Sequence, residues 1–228
     1  MKIHINKTRQ NSGFSLVEMI GVLAIVAILA SLLVPRVFAA INRAKINSSV
    51  LTVNTIKSAV IEAYSETGSF TDAGGNALDP SDLSNVTPFD DTVLLTRQLI
   101  DKPFTCKIGV EVAGTNEHEI ILDLPDAGQV TGTSVGFDFD ANGTIDHDND
   151  PNTAQVPGND VQNDQYVVYA KIPNVNSQDA LDFSRALDGE TLSAANSDST
   201  TADLEGRVKY AAPGSDGVTD IYVYIASR

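Results

Sequence analysis

The run from Phe14 to Val34 constrains this chain more than any other stretch. It holds 21 residues with one charge, Glu18, and is closed by Pro35 and Arg36. At about 1.5 Å rise per residue, roughly twenty apolar residues in a helix span the ~30 Å hydrocarbon core of a bilayer. A carboxylate near the start of such a run is the anomaly. At bilayer depth it costs on the order of 2.5–3.5 kcal/mol on insertion scales, so an acid there points to function. Residues 1–13 carry Lys2, Lys7 and Arg9 and no acid. A basic flank of this kind favours a cytoplasmic N-terminus.

A secretory signal peptide places its small-residue cleavage site after the apolar region. Here the conspicuous small residue, Gly13, precedes it. Cleavage at Gly13 would leave the apolar helix on the mature protein and make Phe14 its N-terminus. The new α-amine would then lie one helical turn from Glu18, because positions four apart share a helix face. The alternatives are an ordinary single-pass anchor with an incidental glutamate, and an uncleaved or ordinary signal peptide.

The stretch Gly13-Phe14-Ser15-Leu16-Val17-Glu18, followed by an apolar run to a proline, resembles the class III signal of bacterial type IV prepilins and type II secretion pseudopilins. The resemblance covers about 30 residues. It implies cleavage between Gly13 and Phe14 by a prepilin peptidase, N-methylation of Phe14, and a filament in which Glu18 neutralises the amine of a neighbouring subunit. Leu16 and Pro35 fall where that family has a leucine and a helix-kinking proline, whereas Ser15 replaces the more usual threonine. Many pilins also staple their C-terminal loop with a disulfide. This chain departs from that pattern, since Cys106 is its single cysteine.

The chain has 15 basic and 30 acidic side chains. Loss of the leader would leave twelve bases against thirty acids. Such a surface argues against nucleic acid and anionic lipid as partners and favours cations. Beyond the anchor, about 190 residues suffice for one sizeable domain.

Helical periodicity continues past Pro35. Ile46, Val50, Val53, Ile56, Val60 and Ala63 recur at spacings of three and four, with polar residues between them, and Gly68 supplies a stop. One helix is therefore predicted from about Phe14 to Glu66, apolar all round in its first half and amphipathic in its second. Gly21 and Pro35 are its weak points, where the first half could bend. The organisation read from the sequence is a leader (1–13), a membrane or filament-core half-helix (14–35), an amphipathic half-helix (36–67), a connection (68–103) and a sheet domain (104–228). The connection includes a short helical piece near Thr92–Ile100. Strands are predicted at Phe104–Val112 and His118–Leu124, joined as a hairpin across Ala113-Gly114-Thr115-Asn116. Further strands are expected at Ser134–Phe139, Tyr166–Ile172, Arg207–Ala211 and Thr219–Ala226. The last two should pair across Pro213–Gly217. A helix capped by Ser177 is expected over Ser177–Leu187, stopped by Gly189. Cys106 reads as a small buried strand residue. The predicted class is α+β: a pilin-like long helix on an antiparallel sheet.

An acidic insert, 138–165, contains D-x-D-x-N-G-x-I-D at Asp138–Asp146. Ca²⁺ takes six to eight oxygen ligands, and a tight loop supplies them from alternate residues with glycine at the turn. Asp138, Asp140 and Asn142 would give side-chain oxygens, Thr144 its carbonyl, and Asp146 a direct or water-bridged contact. The twelfth position is Asn149, so Asp148 and Asp150 would have to substitute. The alternative is a solvated turn at Asn142-Gly143. A metal clip would close a long loop that no disulfide closes.

No zinc spacing, phosphate loop, nucleophile elbow or dinucleotide fingerprint is present, so the chain does not read as an enzyme. It reads as a prepilin-like subunit anchored in the inner membrane and then polymerised into an extracellular or periplasmic filament. The partners this implies are the peptidase, an assembly platform in that membrane and copies of itself. A secretion pseudopilin, or an anchored calcium-binding surface protein that never polymerises, are the alternatives.

Overall fold

The computed structural model describes residues 13–78, 86–114, 117–123, 129–130, 133–134, 166–190, 199–203 and 206–227. Two compact units are present, Met1–Arg43 and Ala44–Arg228. The expected long helix is there: α1 runs over Leu16–Thr67. In the second unit its inward face is Ile46, Ser49, Val53, Ile56, Ala59, Val60 and Ala63. The 3–4 periodicity predicted this face apart from Ser49 and Ala59.

Four antiparallel strands complete the core: β1 (Glu119–Asp123), β4 (Val167–Asn176), β5 (Val208–Tyr210) and β6 (Val218–Ser227), in the order β1-β4-β6-β5. A separate two-stranded ribbon joins β2 (Gln129–Val130) to β3 (Thr133–Ser134). The inward side chains of the sheet, among them Ile120, Leu122, Val168, Ile172, Ile221, Val223 and Ile225, form one core with α1 and with Phe89 and Phe104. Strict alternation along β6, with every second residue buried, is the signature of one covered face. The α+β reading therefore holds, as do β4, the β5–β6 pair and the helix α2 (Ser177–Asp188).

Four expectations need correction. Phe104–Val112 is not a strand, and β1 pairs with β4 rather than with that segment. Its apolar alternation buries Phe104 and Ile108, but several of its backbone donors are taken by side chains instead of a neighbouring strand. The Phe104 N–H donates to Asp90 Oδ2 (2.7 Å) and the Lys107 N–H to Ser49 Oγ (3.1 Å). Cys106 is accordingly half-buried in an irregular segment, not on a strand. The helical piece expected at Thr92–Ile100 is a π-helical turn over Asp90–Leu94. Finally, α2 is capped by Asn176, whose side chain accepts from the Gln178 N–H, and not by Ser177.

Two carboxylates bind distant segments together. Asp90, 1% exposed, accepts from the Phe104 N–H and, at 3.0 Å, from the Ile120 N–H at the edge of β1. Burial raises its pKa above the ordinary aspartate value despite these bonds. Asp188, at the end of α2, accepts from the Arg207 and Val208 N–H groups (both 2.8 Å) and pairs with Arg207 Nε at 3.1 Å. Gly206, at φ +72°, makes room for it: a Cβ there would lie 2.6 Å from Asp188 Oδ2. At the other end of the core, Arg97 closes α1 by donating to the Ala63 and Asp72 carbonyls and to Thr71 Oγ1.

Candidate assembly site

The N-terminal unit is organised by where α1 begins. Gly13, Phe14 and Ser15 are non-helical, and the helix starts at Leu16. Ser15 occupies the cap position, and Glu18, three residues on, reaches back so that its Oε2 accepts from the Ser15 N–H at 2.8 Å. This is half of a capping box, which satisfies one of the donors a helix start leaves unpaired. A carboxylate in the first turn also complements the positive end of the helix dipole. The Gly13–Phe14 bond thus lies in exposed, non-helical chain just ahead of a defined helix start.

Of the residues singled out in the sequence, Gly13, Phe14, Leu16, Glu18 and Pro35 are all exposed. Phe14 is 81% and Leu16 74% exposed. The Phe14 nitrogen is here an amide joined to Gly13, so Glu18 meets the Ser15 amide and not a free amine. α1 is helical through both Gly21 and Pro35. Proline has no N–H, so the Ser31 carbonyl one turn earlier lacks its intrahelical donor. Ser31 Oγ itself donates to the Ile28 carbonyl at 2.8 Å.

The chemistry available here is association. α1 is long and apolar enough to cross a membrane, and none of its apolar window is buried within its own chain. Large side chains are exposed around the whole circumference, from Leu16, Val17 and Ile20 to Leu33, Val37 and Ile41. A helix apolar all round is covered by lipid or by other protein. An uncovered surface of this kind marks an interaction site.

The calcium ligands read from the sequence, Asp138, Asp140, Asn142, Thr144, Asp146, Asp148 and Asp150, lie outside the described residues. Among the described residues, no group of three or more His, Cys, Asp or Glu side chains is placed to hold a metal. Burial pushes the Cys106 thiol up to about 12, so it is not a thiolate nucleophile. Sequence reasoning missed Ser49, Asp90 and Asp188. Their only local signal is a polar residue set in an apolar periodicity.

A family model described as the prokaryotic N-terminal methylation motif matches residues 8–34. That motif is the signature of type IV pilins and pseudopilins. Its match includes Gly13–Ser15 and the apolar run to Val34. No curated protein and no solved structure gives a significant match.

Proposed function

We propose that this chain, bearing the signature of type IV pilins and pseudopilins, is a structural prepilin. In this reading it is cut between Gly13 and Phe14 by a prepilin peptidase, methylated on Phe14, and polymerised through α1 into a type IV pilus-like filament. The observation that carries the reading is the coincidence of the motif with the N-terminal apolar half of α1, whose window is nowhere buried in its own chain. Lipid covers that helix before assembly, and neighbouring subunits cover it afterwards. Apolar burial is worth roughly 25 cal/mol per Å², so packing of Leu16 to Val34 among subunits supplies most of the cohesion.

The precursor sits in the inner membrane with its basic leader in the cytoplasm, where the peptidase and an assembly platform act on it. Glu18 then has two successive partners. It caps its own helix in the precursor, and it neutralises a Phe14 amine once processing has created one.

A secretion pseudopilin uses the same processing chemistry and is the second reading. The Asp138–Asp146 motif supports Ca²⁺ binding in either filament, and in an anchored surface protein that stays monomeric. The test is the N-terminal residue and intact mass of the native protein from a sheared surface fraction of its own cells. A chain starting at Phe14 and heavier by one methyl group is expected. A chain still starting at Met1, or cut beyond Pro35, overturns the proposal.

A further inference from the structure

The segment 104–112 is irregular, yet it is held against the core at defined points, and one buried imidazole lies at its centre. The His118 side chain is 4% exposed. Its Nε2 lies 3.2 Å from the Ile108 carbonyl oxygen, and its Nδ1 lies 2.6 Å from Glu111 Oε1. Both positions are acceptors, so both contacts form together only when each ring nitrogen carries a proton. The Cys106 N–H also points at Nδ1, at 3.4 Å. That contact needs the opposite state, a bare Nδ1 lone pair. Glu111 and the Cys106 amide therefore compete for one atom, and the proton on Nδ1 decides between them.

We propose that His118 is a proton-operated latch on this segment: the protonated ring holds the Glu111 carboxylate, and the neutral ring releases it and takes the Cys106 amide. The Nε2–H bond to Ile108 persists in both states and keeps the ring in place. The backbone is pinned on either side regardless, by Lys107 N–H to Ser49 and by Val110 N–H to the Pro173 carbonyl (3.1 Å). At Gly109 (φ +81°) a Cβ would lie 2.5 Å from that same carbonyl. The latch moves a side chain and an amide, not the chain path.

The surroundings identify Glu111 as the group that responds. The segment itself carries three titratable side chains: Glu111, Lys107 and the Cys106 thiol, which stays neutral in this range. From the π-helical turn, Asp90 is engaged by the Phe104 and Ile120 amides. From α1 the polar group is the Ser49 hydroxyl. From β4 and its bulge, Ile172 and the Pro173 carbonyl face Gly109. The Phe104 ring meets the imidazole edge-on at 6.1 Å.

The consequence lies at the surface. Glu111 sits between Val110 and Val112, which are 64% and 50% exposed. Protonation of His118 draws the acidic side chain inward and leaves the two valines as a more apolar patch. Loss of the proton returns a negative charge between them. The Glu111 contact is thus present at lower pH and is lost as pH rises.

The full-length chain in detergent micelles, with its imidazole rings labelled with ¹⁵N, tests this by NMR from pH 5 to pH 8. His118 signals are assigned by comparison with His118→Gln. The expected result is protons on both ring nitrogens at the acid end, a bare Nδ1 at the alkaline end, and protection of the Cys106 amide about tenfold greater in the second state, the equivalent of one hydrogen bond. In Glu111→Ala, a substitution at a half-exposed side chain, the proton should leave Nδ1 at lower pH than in the wild type. Cys106 protection that does not follow the Nδ1 proton, or a ring whose titration is the same in Glu111→Ala, overturns the latch.

Discussion

Replacing Asp90 by alanine should unfasten three parts of the core at once. The carboxylate is buried and accepts two backbone N–H groups, Phe104 at 2.7 Å and Ile120 at 3.0 Å. Without it, both donors stay buried with no acceptor. Each such donor costs about 1–3 kcal/mol, so the gross loss is about 2–6 kcal/mol. The variant no longer buries a carboxyl group, which offsets part of this, and a net loss near 3 kcal/mol is expected. For a unit of this size, 1 kcal/mol shifts the melting temperature by about 2–4 °C, so Asp90→Ala should melt about 6–12 °C lower. Asp90→Asn keeps one acceptor but turns its NH2 toward the other donor, and should fall between the two.

Thermal unfolding of the full chain in detergent, followed by circular dichroism, provides the comparison. The pH dependence gives an independent check. Burial raises the Asp90 pKa in the native state, so the folded protein binds this proton more readily than the unfolded chain. That contribution is fully present below the ordinary aspartate value and is lost as pH rises through the raised native one. Asp90→Asn should flatten the corresponding decline above the ordinary aspartate value. An alanine variant within about 0.5 kcal/mol of wild type would refute the reasoning, because that is the scatter of surface substitutions.

Three further outcomes are expected. Gly206→Ala should lower stability by about 1–3 kcal/mol in the same melting assay, since it combines a left-handed φ with a clash against Asp188. Glu18→Ala should leave the precursor in the membrane fraction but sharply reduce filament recovery by shearing, with immunoblots of both fractions as the readout. If the acidic loop binds Ca²⁺, a chelator should lower the melting temperature of the full chain and calcium titration should release or absorb heat. No change in either measurement would remove the metal.

The elements legible in the sequence are those whose hydrogen bonds close within themselves or with a regular neighbour. α1, β6 and α2 each show a clean periodicity, the imprint of one covered face, and β4 is a β-branched and aromatic run buried at successive residues over Val167–Ala170. Phe104–Val112 shows the same alternation and is no strand. Its donors go to Asp90 and Ser49, residues 14 and 58 positions away, and no local pattern encodes such partners. The capping of α2 slipped by one residue for a smaller reason: Asn176 and Ser177 are both good caps, and the choice between them follows from where β4 ends. At the assembly site, the glycine, the glutamate and the length of the run were all readable. The Ser15–Glu18 bond is not legible there, because the motif points Glu18 at the amine that cleavage creates, whereas the uncleaved chain offers it the Ser15 amide.

Asp123 and Val167 are direct register partners in the β1–β4 ladder. The two ends of the stretch between them are therefore held side by side. Closing a connection with ends fixed in this way becomes costlier only slowly, by about 0.6 kcal/mol for each doubling of its length. Its sequence and length can thus change a great deal while the pairing at its base, and the core beneath, keep their register. In a repeating polymer, each subunit would then offer the same fixed socket for interchangeable content. That socket is the natural place to graft a foreign peptide when the aim is to decorate a fibre without disturbing how it is built.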